Sequence, residues 1–171
     1  MIRRREFITL LGGAAAWPLA ARAQQGDRVR RIGVLIGDLT ENDPIGIASV
    51  SAFTRALEQL GWTEGRNMRM DLRWAAADVE LNAKFAKELV GFRPDVILSE
   101  STPGTAAVKR ETSAIPIVFV GVADPVGIGF VDGLPRPGGN ATGFSVFEYG
   151  IAPKWLELIK EIAPRVTICS R

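Results

Sequence analysis

The chain has 171 residues with one cysteine and no histidine, and 21 lysines and arginines stand against 19 aspartates and glutamates. The absence of histidine removes the commonest general base and the usual partner of a nucleophilic serine or cysteine. Because Cys169 is the only cysteine, no disulfide can form within the chain. The composition therefore argues against an acid–base enzyme and against a disulfide-stapled fold.

Residues 1–23 have the order of a secretory signal peptide. A basic start is followed by an apolar run and by an Ala-x-Ala pattern just before Gln24. The apolar run is too short for a membrane helix, which needs about 20 residues. Arg4 and Arg5, followed by Phe7, resemble the twin-arginine export motif, although the general secretory route stays open as the alternative. We therefore predict export to the periplasm.

The basic charge of the chain is concentrated in this leader. Without residues 1–23, 17 basic and 18 acidic residues remain over residues 24–171. A footprint for nucleic acid needs a basic patch that the remaining chain does not supply. We expect no nucleic-acid partner, and the 148 residues left are enough for one domain with its own core.

The first half predicts strand, helix and strand. Residues 31–37 are a short apolar run typical of a buried strand. The next segment places apolar residues on one helical face, namely Val50, Phe53, Leu57 and Leu60. Residues 67–74 then alternate apolar and charged side chains, which predicts an edge strand with one face in water.

The second half continues the alternation. A helix with the apolar stripe Leu81, Phe85 and Leu89 is predicted to end before Gly91, and residues 95–99 and 115–122 read as strands. Between these strands, residues 102–112 predict a helix with Thr102 as its cap and Pro103 at its first position. The whole pattern predicts an α/β fold of three αβα layers, a flavodoxin-like parallel sheet with helices on both faces.

Loops at one edge of such a sheet are the candidate binding site. Ligands of open α/β folds lie beyond the carboxyl ends of the strands. The residues at these predicted strand ends are Gly37, Asp38, Ser99, Glu100, Ser101, Thr102, Val122, Ala123, Asp124, Ser145 and Phe147. The hydroxyl-rich helix start at Thr102 favours an anionic group on the ligand. The alternative is that Thr102 only caps the helix and the serines are only solvated.

Motifs for catalysis, cofactors or metals are not recognised. There is no Gly-x-Ser-x-Gly elbow and no phosphate-binding Gly-x-x-x-x-Gly-Lys loop. The segment from Asp38 lacks the central glycine of a calcium loop, and Ser49 stands where that loop needs a glutamate. Acidic residues do gather at the predicted edge, namely Asp38, Glu41, Asp43, Glu100 and Asp124. Isolated loop carboxylates of this kind are more often solvated or capping groups, so we predict no catalytic residue, no metal and no cofactor.

Several phrases together resemble one protein family. They are the leader, "ALEQLGWTEGRNMRMDLRWA", "IPIVFVGVADPVGIGFVDGLPRPGGNATG" and "KWLELIKEIAP". They are similar to the periplasmic substrate-binding proteins of ABC transporters, in the branch with a type I, two-lobed fold. The resemblance implies a cleft that closes on a small ligand and delivers it to a permease in the inner membrane, without covalent chemistry. Some relatives bind amino acids, including aromatic ones.

The resemblance also implies a division of the chain. Residues 24–150 correspond to the first lobe, and residues 151–171 to the start of a second lobe that is truncated here. The helix of this second part carries an apolar stripe of Trp155, Leu158, Ile159 and Ile162, so we expect weak self-association through it. Two other functions remain as alternatives: a small flavodoxin-like periplasmic enzyme, and a sensor or interaction domain.

Overall fold

The computed structural model describes residues 28–147 and 151–163. The predicted signal peptide at residues 1–23 lies outside the described residues, as do residues 164–171. Five strands and four helices lie in the described part: β1 (Arg30–Ile36), α1 (Pro44–Gln59), β2 (Met68–Trp74), α2 (Val79–Gly91), β3 (Val96–Glu100), α3 (Thr102–Glu111), β4 (Ile117–Ala123), β5 (Ala141–Phe147) and α4 (Ile151–Ile162).

The strands form one parallel sheet in the order β2-β1-β3-β4-β5. This order confirms the predicted α/β fold, and it reverses direction between β1 and β3. Right-handed crossovers place α1, which connects β1 to β2, on one face of the sheet. They place α2 and α3, which lead to β3 and β4, on the other face. The sheet therefore has an α1 face and an α2/α3 face.

The α2/α3 face holds the larger core. Ile97, Phe119 and Val122 from the sheet pack with Leu89 of α2 and Val108 of α3, and all five are almost fully buried. The connection between β4 and β5 closes this face with Val131 and Phe130. The predicted stripe of Leu81, Phe85 and Leu89 does face this core, although α2 includes Gly91 as its last residue.

The α1 face is covered over only part of its width. Val50, Phe53 and Leu57 of α1 pack on β1 and β2, as the helical pattern predicts. On β5, by contrast, Phe144 is 74% exposed and Val146 is 57% exposed. Helices therefore lie on both faces of the sheet, as predicted, but within residues 28–147 and 151–163 the β4–β5 half of the α1 face is left open. The right-handed links to β3 and β4 run on the other side of the sheet, and so does the connection to β5, which contributes Val131 and Phe130 to the core there.

Helix α1 begins earlier than its apolar stripe predicts. The Asp43 carboxylate accepts the backbone N–H groups of Ile45 at 2.8 Å and Gly46 at 3.3 Å, so the helix starts at Pro44. Leu60, predicted on the buried face, ends the helix and is exposed. Leu60 is the C-cap, after the last helical residue Gln59, so it no longer follows the buried face of the helix.

β2 is an edge strand, as predicted, but only part of its charged side is in water: Arg69 is exposed, whereas Asp71 and Arg73 are largely covered. The Asp71 carboxylate accepts the Arg31 Nε–H at 2.6 Å, and Arg73 pairs with Glu88 of α2. The Arg31 guanidinium also lies 4.3 Å from the centroid of the Phe92 ring. Charges at the covered face of an edge strand are thus neutralised by partners on the neighbouring strand and helix.

Helix α4 presents its apolar side chains to solvent. Trp155, Leu158, Ile159 and Ile162 are about half exposed or more. Self-association through this helix is not tested by these observations and remains a prediction. None of the helices in the described part combines the length and apolarity needed to cross a membrane.

Candidate functional site

The carboxyl ends of β1, β3 and β4 meet at one edge of the sheet, which we call the ligand edge and define as residues 37–38, 99–102 and 121–124. The strands are packed tightly there. A Cβ atom on Gly37 would lie 2.2 Å from the Ser101 Oγ and 2.9 Å from the Glu100 carbonyl oxygen. Only glycine allows the end of β1 to approach the end of β3 so closely.

Most hydroxyl groups of the ligand edge point into the protein. Ser99 and Thr105 are buried and hydrogen-bonded to each other at 3.0 Å. The Thr105 hydroxyl donates to the Ser101 carbonyl oxygen at 2.8 Å, and the buried Ser101 Oγ accepts the Gly104 N–H at 3.3 Å. These three hydroxyls hold the start of α3 in place and are not directed to solvent.

Ser101, and not Thr102, caps helix α3, so that prediction is wrong. Ser101 has a φ of 74°, in the region that favours glycine, and this conformation turns its Oγ over the first turn of the helix. Thr102 is instead the first helical residue and is only half-buried. Its Oγ1 accepts the Ala123 N–H at 3.4 Å, which links α3 to the end of β4.

Two of the clustered carboxylates are caps. Asp43 begins α1, and Asp124, with a φ of 45°, accepts the Gly127 N–H at 2.9 Å. Glu100 differs from both, because its Oε2 accepts the N–H groups of Gly37 at 3.1 Å and Asp38 at 3.3 Å across the ligand edge. Burial raises the pKa of the Glu100 carboxyl above its usual range.

Val122 and Ala123 lie at the end of β4, and Ser145 and Phe147 lie inside β5, not after it as the sequence predicts. Val122 is buried and stands opposite Ser145 in the sheet register. Residues 148–150, which follow β5, lie outside the described residues. The register still brings the carboxyl ends of β4 and β5 together.

Sequence reasoning missed Asn82 of α2. Its Nδ2 donates to the Gly37 carbonyl oxygen at 3.2 Å and to the Asp78 carbonyl oxygen at 2.9 Å, while its buried Oδ1 has no partner among the described residues. The sequence does offer one signal: Asn82 lies at helical spacing from Ala86 and Leu89, which places it on the buried face of α2. Asn82 thus fixes the turn that leaves β1.

Beside the ligand edge, an apolar groove of about 380 Å³ runs between α1 and the open part of the α1 face. Val50 and Phe53 form one wall, and Val120 and Phe144 lie on the sheet side. Glu100 is the one charged residue in its lining. Within residues 28–147 and 151–163, no three His, Cys, Asp or Glu side chains are grouped so as to hold a metal ion.

A parallel sheet in this order, with its working loops gathered at the carboxyl ends of the strands, defines the class: a lobe of the type I periplasmic binding-protein fold. Residues 40–169 match the family model described as ABC transporter substrate binding protein. The chain belongs to this family.

Similar proteins share the sequence and the fold of this chain. A tyrosine-binding protein of Clostridioides difficile is 34% identical over 139 residues, which is 81% of this chain and 39% of that protein. A conserved domain protein of Vibrio cholerae is 33% identical with a TM-score of 0.68, covering 81% of this chain and 45% of that one. A Streptococcus pneumoniae domain crystallised with L-Trp is 27% identical with a TM-score of 0.66, again covering 81% and 45%. This chain thus spans less than half the length of these relatives.

Proposed function

We propose that this chain provides a ligand-binding lobe of an ABC importer's solute-binding protein. It would hold a small carboxylate-bearing molecule at the ligand edge without chemical conversion. The observation that carries the proposal is the meeting of the ends of β1, β3 and β4 around the first turn of α3, in a chain of the substrate-binding family. The similarity to a tyrosine-binding protein and to a domain crystallised with L-Trp supports an amino acid as the ligand.

The first turn of α3 is the proposed seat of the ligand carboxylate. The N-terminus of a helix has unpaired N–H groups and a partial positive charge, which favour an anion. Ser99, Ser101 and Thr105 are buried and use their hydroxyls inside the protein. The Thr102 oxygen accepts the Ala123 N–H, but its O–H remains to donate to a ligand. Gly37, Asp38 and Ala123 border the same space.

The wider assignments belong to the same proposal. Residues 1–23 direct export to the periplasm, residues 24–150 form the ligand-binding lobe, and residues 151–171 begin a second lobe. The partner that receives the ligand is an inner-membrane ABC permease. Weak self-association through α4 is also proposed, because its apolar side chains are exposed.

An amide-proton NMR titration of the chain with L-tryptophan and L-tyrosine tests the binding proposal, since it detects weak complexes. We expect shifts to concentrate at residues 37–38, 100–104 and 121–124. Replacing Thr102 by Val should weaken binding about fivefold, the equivalent of one lost hydrogen bond of about 1 kcal/mol. Thr63→Val is the matched control, because Thr63 is an exposed residue in the turn before β2. Absence of shifts with both amino acids, or equal weakening by the two variants, would contradict the proposal.

A further inference from the structure

The Glu100 carboxylate is held in a fixed position at the ligand edge. Its Oε2 accepts two backbone N–H groups, from Gly37 and Asp38. Its Oε1 faces Gly121 of β4, where a Cβ atom would lie 3.5 Å away, and Gly121 has a φ of 70°. No hydrogen bond from the described residues reaches Oε1. One oxygen of this carboxylate is therefore used by the chain, and the other is not.

No positive charge accompanies Glu100. The five ion pairs of the described residues involve Asp71, Glu88 and Asp95, and none involves Glu100. The elements around Glu100 contribute apolar side chains and Ser49 to the groove that it lines. Asp38 is the titratable neighbour, and its like charge adds to burial in raising the pKa of Glu100. A half-buried carboxylate without a cation is unfavourable until a partner supplies one.

We propose that Glu100 accepts a hydrogen bond from an ammonium group of the ligand and so selects amino acids over simple carboxylates. This inference rests on the proposed function. Glu100 immediately precedes the cap of α3, so an acceptor for a cation lies next to the proposed seat for an anion. The head group of an α-amino acid carries both charges on neighbouring atoms. A carboxylate without the ammonium would meet Glu100 as an uncompensated like charge.

The test compares L-tryptophan with indole-3-propionate, which lacks only the amino group, on the same NMR titration. The wild-type chain should bind L-tryptophan at least tenfold more tightly. Glu100→Gln keeps a carbonyl oxygen that can accept the Gly37 and Asp38 N–H groups but removes the charge, so this preference should fall to about twofold or less. Glu41→Gln is the matched control, because it neutralises an exposed carboxylate in the loop after β1 and should retain the preference.

The pH dependence gives a second readout. Protonation of Glu100 removes its charge, so the affinity of the wild-type chain for L-tryptophan should fall as the pH is lowered from 7 through the raised pKa of Glu100. Glu100→Gln should lack this change. A preference that persists in Glu100→Gln, or equal affinity of the wild-type chain for both ligands, would overturn the role of Glu100. If neither ligand binds the wild-type chain, the proposed function itself fails.

Discussion

The two ends of the sheet are stabilised in different ways. At the amino end, Asp95 accepts the Arg31 N–H and pairs with Arg28 and Arg30, and Asp71 pairs with Arg31. At the ligand edge, close backbone contact at Gly37 replaces ion pairing, and Glu100 has no cation partner among the described residues. Paired charges are typical of structural positions, and the contrast with the unpaired carboxylate of Glu100 is the basis of the proposed ligand contact.

The pKa shifts of the carboxyl groups also differ between the two ends of the sheet. The side-chain hydrogen bond from Arg31 lowers the pKa of Asp71, and the backbone N–H of Arg31 lowers that of Asp95. Burial raises the pKa of Glu100. Because the pKa values of Asp71 and Asp95 are lowered, these carboxylates stabilise the folded state at a pH above their ordinary pKa. That stabilisation is lost as the pH falls through their lowered pKa values. The raised pKa of Glu100 has the opposite effect. Its charge destabilises the folded state at high pH, and protonation of the folded chain relieves this cost of burial.

The largest expected effect concerns the backbone contact at the ligand edge. Gly37→Ala should lower the free energy of unfolding by about 3 kcal/mol, because its Cβ would meet the Glu100 carbonyl oxygen as well as the Ser101 side chain. Gly33→Ala, on the same strand, is the control. Its Cβ would meet only side chains, at 3.3 Å or more, and should cost less than about 1 kcal/mol. Urea unfolding measures both, and equal losses would show that the ligand edge is no more tightly packed than the strand centre.

The next effect concerns the ion pairs of the amino end. Asp71→Asn should lower Tm by about 5 °C at pH 7, because Arg31 loses a charged acceptor beneath α2. The difference from wild type should shrink as the pH falls below the ordinary aspartate pKa of 3.8 and through the lowered pKa of Asp71 in the folded chain. Asp38→Asn, at the exposed ligand edge, should change Tm by no more than about 1 °C. Calorimetry of the two variants over a range of pH measures these changes in Tm. A larger loss of Tm in Asp38→Asn than in Asp71→Asn would contradict the proposed difference between the two ends of the sheet.

The smallest effect has the opposite sign. Glu100→Gln should raise Tm by about 1–3 °C at pH 7, because the folded protein no longer holds a half-buried charge without a partner. The gain should disappear below the ordinary glutamate pKa of 4.5, where Glu100 is protonated in both the folded and the unfolded chain. Thermal melts at pH 7 and pH 4 measure it. A loss of stability at pH 7 would mean that the charge on Glu100 serves the fold.

Much of the fold follows from local patterns in the sequence. Short apolar runs and helical stripes, such as Leu81 with Phe85 and Leu89, depend on neighbours close in the chain, so they predict the strands, the helices and the edge where the loops meet. The open half of the α1 face could not be predicted, because it depends on the side of the sheet taken by each crossover. Distant pairs such as Arg31 with Asp71, 40 residues apart, carry no local pattern either.

The candidate site was less accessible to sequence reasoning than the fold. A Ser-Thr-Pro segment allows either hydroxyl residue to cap the helix, and the positive φ of Ser101 decides the matter. Burial of Ser99 and Thr105 depends on the packing of α3 against the sheet, which composition does not reveal. Glu100 could be placed at the strand end, but its lack of a cation could be seen only after every nearby charge had been located.

The sheet has two unlike borders. On β2, Asp71 and Arg73 lie on the covered side and are committed to Arg31 and Glu88, so an added strand would pair beside a border whose charges are already fixed. On β5, Phe144 and Val146 offer apolar side chains to any chain segment that joins there. The two borders therefore differ in what a further strand would meet: paired charges at β2, and exposed apolar side chains at β5.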